Sequence, residues 1–195
     1  MSLPVVVLSA VGLETGHDTA RAEEPHVEPV LAPLHAVIAV QRRSEGQSFY
    51  VKRSPTMQNY PNVWSLLSIQ FRPEELPDPF DFSTVERFMQ RLSDERLGGV
   101  SPRVLRYLTS GTCSRNPINR RVTLHLYEIA LEAEPRLNPA YYVDGAWLMP
   151  EQYESRAAGS QCGLCLRLWS DYCYRNGLAA RRFAPVPDLD ATMLI

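Results

Sequence analysis

The segment from Ser83 to Gly99 constrains the fold most, because its apolar residues recur at the spacing of one helical face. Ser83 is predicted to be the N-cap, and Glu86, three residues later, to complete a capping box. The pair Gly98-Gly99 is predicted to end the helix. Four apolar residues form the predicted buried face: Val85, Phe88, Met89 and Leu92. A helix with one such face needs a second layer to pack against.

Short β-like runs on both sides of the helix supply that layer. His35 to Val40 is a nearly continuous apolar run, typical of a strand buried on both faces. Ser48 to Lys52 is predicted to be its hairpin partner across the polar turn at 44–47. Further strands are predicted over Val5–Leu8, Asn62–Phe71, Val104–Leu108, Arg121–Leu131 and Tyr141–Leu148. Helices and strands together predict an α/β domain.

The predicted strand Arg121–Leu131 has two distinct faces. Val122, Leu124 and Leu126 are expected on one side, and Thr123, His125, Tyr127 and Ile129 on the other. His125 is predicted to be a histidine of the core or of a barrel lining, with contact to a ligand as the alternative.

Two more helices are predicted near the C-terminal end, one beginning at Pro150 and one spanning Gln161 to Tyr174. The spacing of Cys162 and Cys165 suits zinc, but no Cys or His follows Cys173 to complete a second pair. Small buried thiols in a helix interface are therefore predicted.

The stretch from Arg72 to Asp81 is predicted to be an exposed loop, because it contains three prolines and is rich in acidic residues. Its acidic residues are Glu74, Glu75, Asp78 and Asp81.

The charge balance excludes one class of function. With 20 basic and 22 acidic residues the formal net charge is -2, which argues against a nucleic-acid-binding protein held mainly by a basic surface. Every basic residue except Lys52 is arginine, and arginine makes planar contacts to phosphate and carboxylate, so an anionic ligand is compatible. No apolar run is long enough to span a membrane. Few cysteines and the lack of a charged leader predict a cytoplasmic protein.

The order of these elements resembles that of the Nudix hydrolases. The run Asn62-Val63-Trp64-Ser65-Leu66 resembles the strand that enters the family's catalytic loop, and Asp144–Leu148 followed by Pro150–Tyr153 resembles a late strand-to-helix corner. Leu124–Tyr127 resembles a core strand of those enzymes. The resemblance implies an α/β/α sandwich with a mixed sheet over residues 35–176. Residues 1–34 would be a strand and loop extension, and residues 177–195 a tail.

The family motif, G-x5-E-x7-R-E-U-x-E-E-x-G-U with U aliphatic, is altered in this chain. Ser68 stands at the glycine, and Glu74 matches the first glutamate. With Leu92 as the aliphatic residue, Gln90-Arg91 stands at the Arg-Glu pair and Asp94-Glu95 at the Glu-Glu pair, and the closing glycine comes one residue late. We prefer this register because it keeps Leu92 on the apolar face of the helix.

In the other register Gly98 is the closing glycine of the motif. Arg91 and Glu95 then keep their motif positions, Leu92 and Arg96 stand at glutamate positions, and Ser93 stands at the aliphatic position.

The resemblance implies metal-dependent cleavage of a pyrophosphate link in a nucleoside-diphosphate-linked substrate, with Mg²⁺ or Mn²⁺ as the metal. Such an ion neutralises phosphate charge and activates water, and it prefers oxygen ligands. Asp94 and Glu95 would be metal ligands, and Glu74 or Glu75 a third ligand or the base. Three arginines are expected to bind substrate: Arg53, Arg106 and Arg121.

Other interpretations stay open. Asp94 and Glu95 could be solvated surface charges, and Glu86, about 12 Å along the helix from Asp94, is expected to be too far away to share their metal. The chain could instead be a catalytically inactive Nudix-like domain that binds a nucleotide or a protein. The expected partner is a nucleotide-like small molecule, with neither membrane nor nucleic acid, and a homodimer stays open.

Overall fold

The computed structural model describes residues 34–71, 75, 81–113, 121–157 and 162–184. Its strands are β1 (Leu34–Gln41), β2 (Ser48–Arg53), β3 (Trp64–Ser65), β4 (Leu67–Phe71), β5 (Pro102–Cys113), β6 (Val122–Leu131) and β7 (Tyr142–Leu148). Its helices are α1 (Phe82–Arg96), α2 (Pro150–Arg156) and α3 (Leu164–Arg175). The strand predicted at Val5–Leu8 lies outside the described residues.

The strands form a four-stranded sheet in the order β4-β1-β6-β5 and a three-stranded sheet in the order β3-β2-β7. β1 runs parallel to β6 and antiparallel to β4, so the larger sheet is mixed, as predicted. One buried cluster lies towards α3 and includes Leu124 and Leu126, and a second lies towards α1 and includes Tyr127 and Ile129. The predicted α/β/α sandwich and the two faces of β6 are therefore confirmed.

The predicted hairpin between β1 and β2 is wrong. The turn does form, because Arg43 N donates to Gln47 O at 2.9 Å and Gly46 N donates to Arg43 O at 3.1 Å. Only an isolated bridge between Arg42 and Ser48 joins the two strands, which continue into different sheets. The physical reason is that β4 and β6 occupy both edges of β1, so no edge is left for β2.

The single strand predicted over Asn62–Phe71 is two strands. Leu66 and Leu67 are adjacent, and both are fully buried, Leu66 in the cluster towards α3 and Leu67 in the cluster towards α1. Side chains therefore still alternate between the two faces here, and what changes is the pairing: β3 pairs with β2 and β4 pairs with β1, in different sheets.

Helix α1 begins two residues earlier than predicted, and its cap differs from the prediction. Asp81 is the N-cap, and its carboxylate accepts hydrogen bonds from Ser83 N at 3.1 Å and from Thr84 Oγ1 at 2.6 Å. These bonds, that from Thr84 foremost, lower the pKa of Asp81. A carboxylate at 81 moves the capping position away from Ser83, so Glu86 lies exposed on the helix and forms no capping box.

The C-terminal end of α1 is as predicted. Gly98 has a φ of 69°, a left-handed conformation that favours glycine, and Gly99 N donates to Ser93 O at 3.1 Å. The four predicted apolar residues, Val85, Phe88, Met89 and Leu92, are all buried against the larger sheet.

Helix α3 begins at Leu164, later than predicted. Gly163 is its N-cap, and Cys162 forms an isolated bridge with Trp64 instead of a helical turn. Beyond the helix the chain folds back: Phe183 N and Ala184 N donate to Ser170 Oγ at 2.8 and 3.1 Å. The domain boundaries at 34/35 and 176/177 stay predictions. In the described ranges no helix is long and apolar enough to cross a membrane.

Candidate functional site

The edge of β4 meets α1 at the place where the altered motif lies. β4 is one of the two outer strands of the larger sheet, and two of its carbonyl oxygens accept hydrogen bonds from arginines of the helix. Arg96 Nη1 donates to Ser68 O at 2.7 Å, and Arg91 Nη2 donates to Gln70 O at 2.7 Å. We call this contact region the β4–α1 junction.

The junction brings together two of the predicted site residues, Glu75 and Glu95. Arg91 Nη1 lies 3.1 Å from Glu75 Oε1, and Arg91 Nε lies 3.9 Å from Glu95 Oε1. Arg96 Nε lies 3.9 Å from the other carboxylate oxygen, Glu95 Oε2. Glu95 therefore lies between two guanidinium groups, and Arg91 links the loop carboxylate to the helix carboxylate.

The other predicted carboxylates are placed differently. Asp94 is exposed, and its Oδ1 accepts a hydrogen bond from Gln90 Nε2 at 2.9 Å. Glu74 lies outside the described residues. Glu86 is exposed near the N-terminal end of α1, as expected for a residue that takes no part in the junction.

The side chains of the junction do not fit a divalent metal ion. Within the ranges that the structure describes, no three His, Cys, Asp or Glu residues are grouped so that they could hold one. Mg²⁺ is held by carboxylate and carbonyl oxygens. Here Arg91 and Arg96 already donate to the carbonyls and face the carboxylates, so an added ion would meet two positive charges.

Both motif registers leave one carboxylate in common, Glu95. Leu92 and Ser93, the two candidates for the aliphatic position, are both fully buried, so burial does not separate the registers. One signal for the junction was present in the sequence, namely arginine at a glutamate position of the motif. It did not reveal that Arg96 would bind the edge of β4.

A small pocket that opens to solvent lies beside the junction. Ser68 and Gln70 help to line it, and their carbonyl oxygens accept hydrogen bonds from the guanidinium groups of α1. The rest of the lining comes from β1, β2, β3, β6, the loop after β2 and the start of α3: Leu34, His35, Ala36, Ile38, Arg53, Asn59, Tyr60, Ser65, Val122, Leu124, Gly163, Leu164 and Cys165. None of these described lining residues carries a carboxylate.

Arg53 shapes one wall of the pocket. Its Nε donates to the carbonyl oxygens of Asn59 and Tyr60, both at 3.2 Å, and its Nη2 donates to Asn59 O at 2.9 Å. Tyr60 and Asn62 have φ values of 53° and 58°, unusual for residues other than glycine. The buried guanidinium thus fixes a loop of unfavourable backbone conformation, and burial lowers the pKa of Arg53.

The other two predicted substrate-binding arginines have different environments. Arg121 is exposed, precedes the pocket residue Val122, and lowers the pKa of His35 after the larger effect of burial. Arg106 lies on β5, outside the pocket lining, and its Nε contacts Glu128 Oε2 at 2.6 Å.

The cysteines are buried thiols, as predicted. Cys162, Cys165 and Cys173 lie in the cluster towards α3, and Cys165 Sγ lies 3.2 Å from Ser65 Oγ. Burial raises the pKa of Cys165 and, to about 12, that of Cys173.

His125 is buried, in agreement with its prediction as a core residue. Its ring stacks on that of His35, with 5.9 Å between centroids, and lies 6.2 Å from Phe71. Burial, and then the nearby His35, lower the pKa of His125 to about 4.

This environment predicts that the protein loses stability as the pH falls from 6.5 to about 4. In that window the unfolded chain protonates His125 and the folded chain does not, so acidification favours unfolding, by at most about 3 kcal/mol. Urea unfolding at a series of pH values measures this. His125→Gln is expected to flatten the decline. An equal decline in the variant would contradict the assignment to His125.

Comparison with solved structures identifies the fold. A NUDIX hydrolase from Nitrosomonas europaea aligns with a TM-score of 0.55 at 14% identity, over 82% of this chain and 99% of its own. A possible asymmetric diadenosine tetraphosphate hydrolase from Jonesia denitrificans aligns with a TM-score of 0.55 at 18% identity, over 80% and 99%. DR0079 from Deinococcus radiodurans aligns with a TM-score of 0.53 at 25% identity, over 77% and 90%.

No protein-family model and no curated protein sequence matches the chain. The structural similarity nevertheless shows that the chain has the fold of these Nudix hydrolases, as its element order predicted.

Proposed function

We propose that this chain binds a nucleoside-diphosphate-linked small molecule in the pocket beside β4. The observation that carries the proposal is the pocket's lining, in which Arg53 and His35 stand with the aromatic Tyr60 and the amides of Asn59 and Gln70, without a carboxylate among the described residues. Arginine favours a diphosphate, and an aromatic ring with a few polar groups suits a nucleoside.

The roles of the three arginines differ in this proposal. Arg53 fixes the pocket wall and gives it positive charge, and Arg121 adds charge beside His35. Arg106 contributes less, because the carboxylate of Glu128 neutralises it and it lies outside the lining. The fold is compatible with such a ligand, since one structural neighbour is a possible diadenosine tetraphosphate hydrolase.

Metal-dependent hydrolysis of the diphosphate, with Mg²⁺ or Mn²⁺, is the second candidate. It is favoured by the meeting of Glu75 and Glu95 at Arg91, with Asp94 exposed next to them. Arg91 and Arg96 stand against it, because a metal ion would have to displace their guanidinium groups. Binding without this step is therefore the function that the geometry supports best. The cytoplasmic location and the homodimer stay proposals.

The test is a panel of ADP-ribose, NADH, dinucleoside polyphosphates and nucleoside triphosphates. Binding is measured by calorimetry and thermal shift, and product release is measured with magnesium or manganese. The double variant Asp94→Ala plus Glu95→Ala is the control for carboxylate-dependent chemistry.

We expect at least one compound to raise the melting temperature of the wild-type chain and of the double variant. We expect neither protein to release product from it. Turnover by the wild-type chain that is lost in the double variant would overturn the proposal of binding alone and support metal-dependent hydrolysis. Failure of every compound to bind would overturn the proposal itself.

A further inference from the structure

The β4–α1 junction collects oxygen atoms of the kind that hold a hard cation. Two are the carbonyl oxygens of Ser68 and Gln70, and the others belong to the carboxylates of Glu75 and Glu95. Carbonyl and carboxylate oxygens together are the usual ligands of Mg²⁺ and Ca²⁺. The junction thus needs positive charge.

Two guanidinium groups supply that charge. Arg91 reaches Gln70 O with Nη2, Glu75 with Nη1 and Glu95 with Nε, at 2.7, 3.1 and 3.9 Å. Arg96 reaches Ser68 O with Nη1 at 2.7 Å and Glu95 with Nε at 3.9 Å. Two positive side chains therefore face two negative ones, and the oxygen set is electrically balanced without an ion.

Aromatic rings hold both guanidinium groups in place. Arg96 Cζ lies 4.4 Å from the centre of the Tyr141 ring, and Arg91 Cζ lies 5.0 Å from that of Phe88. The side chain of Arg96 is only 12% exposed. Both Nε atoms are buried and lie 3.9 Å from the carboxylate of Glu95, a distance longer than a hydrogen bond. Packing of this kind fixes the charges before any ligand arrives.

We propose that Arg91 and Arg96 act as a built-in replacement for a divalent metal ion, so that the β4–α1 junction holds together without one. The guanidinium groups bridge the strand edge, the loop carboxylate and the helix carboxylate, which is the bridging role that a metal would have at this oxygen set. The inference concerns the unliganded chain and does not depend on the proposed nucleotide.

The first experiment uses the wild-type chain without nucleotide. Saturable Mn²⁺ binding is measured by electron paramagnetic resonance, and melting temperature is measured in excess magnesium and in chelator. We expect the same melting temperature in magnesium and in chelator. We also expect that Glu95→Gln does not weaken any Mn²⁺ binding that is detected. Glu86→Gln, an exposed glutamate on the same helix, is the matched control. Mn²⁺ binding weakened tenfold or more by Glu95→Gln, and not by Glu86→Gln, would overturn the proposal.

The second experiment exchanges the built-in cation for a carboxylate. Arg96→Glu is expected to lower the melting temperature in chelator and to regain about 5–10 °C when Mn²⁺ is present at about 100 times its dissociation constant. Arg96→Gln removes the positive charge but adds no carboxylate. Its melting temperature should therefore fall in chelator and should not rise when Mn²⁺ is added. A folded Arg96→Glu chain whose melting temperature does not rise with Mn²⁺ would contradict the proposal. If that variant does not fold, the wild-type measurement decides.

A failed nucleotide panel leaves these results untouched, because neither experiment contains a nucleotide. Conversely, metal binding at Glu95 would leave the pocket's nucleotide affinity to be judged by its own test. The two proposals can therefore fail separately.

Discussion

Leu92→Glu is expected to lower the free energy of unfolding by about 4 kcal/mol or more, a large part of the stability of a typical domain. Leu92 is fully buried in α1 among Val85, Phe88 and Met89. A glutamate there would either keep an unpaired charge in an apolar layer or take up a proton at a cost in free energy. It would also lose the burial of the leucine side chain.

The measurement is urea unfolding followed by circular dichroism, with two controls in the same helix. Leu92→Met conserves volume and should cost less than about 1.5 kcal/mol. Gln90→Glu adds the same charge on the exposed face and should change stability by about 0.5 kcal/mol. If Leu92→Glu were as stable as Gln90→Glu, position 92 could face the candidate site, as the register ending on Gly98 requires.

Arg53→Met is expected to lower the free energy of unfolding by about 2–5 kcal/mol, because two carbonyl oxygens lose their donor. Those oxygens belong to Asn59 and Tyr60, in the loop whose residues Tyr60 and Asn62 have left-handed backbone conformations. The loop forms part of the pocket wall. The variant should therefore also weaken binding of whichever panel compound binds, by about tenfold or more, which corresponds to about 1.4 kcal/mol.

Calorimetry and thermal unfolding measure the two effects. Arg106→Met is the matched control, because it also removes an arginine but from an exposed ion pair outside the pocket. Such a pair contributes at most about 1 kcal/mol, so its stability and affinity should stay near wild type. Equal losses from both variants would show that general charge, and not the geometry of the pocket wall, governs binding.

Local patterns were sufficient where an element depends on its own residues. The apolar spacing from Val85 to Leu92 and the glycine pair after it identified α1, and alternation identified the two faces of β6. The capping prediction failed at Ser83 because the competing acceptor, Asp81, belongs to the preceding loop and takes the capping position. Such competition between neighbouring polar side chains is decided by the geometry of the first turn.

Local sequence patterns did not predict which strands pair with one another. Proximity along the chain and a polar turn predicted that β1 and β2 would form a hairpin, and the turn exists. The edges of β1 are instead taken by β4 and β6, and β6 is distant in sequence. Which strands pair at an edge depends on the whole tertiary arrangement, as β3 and β4 show by pairing in different sheets although they follow one another along the chain.

By itself the sequence determined the mixed α/β class, the resemblance to the Nudix fold and the presence of arginine at a glutamate position of the motif. Only the tertiary structure decided what that arginine does. Glu75 and Arg91 are 16 residues apart, and the carbonyl of Gln70 is 21 residues from Arg91. No spacing rule predicts such contacts, because they form only when α1 packs against the edge of β4. There Arg91 and Arg96 add positive charge among the oxygens that a metal would need.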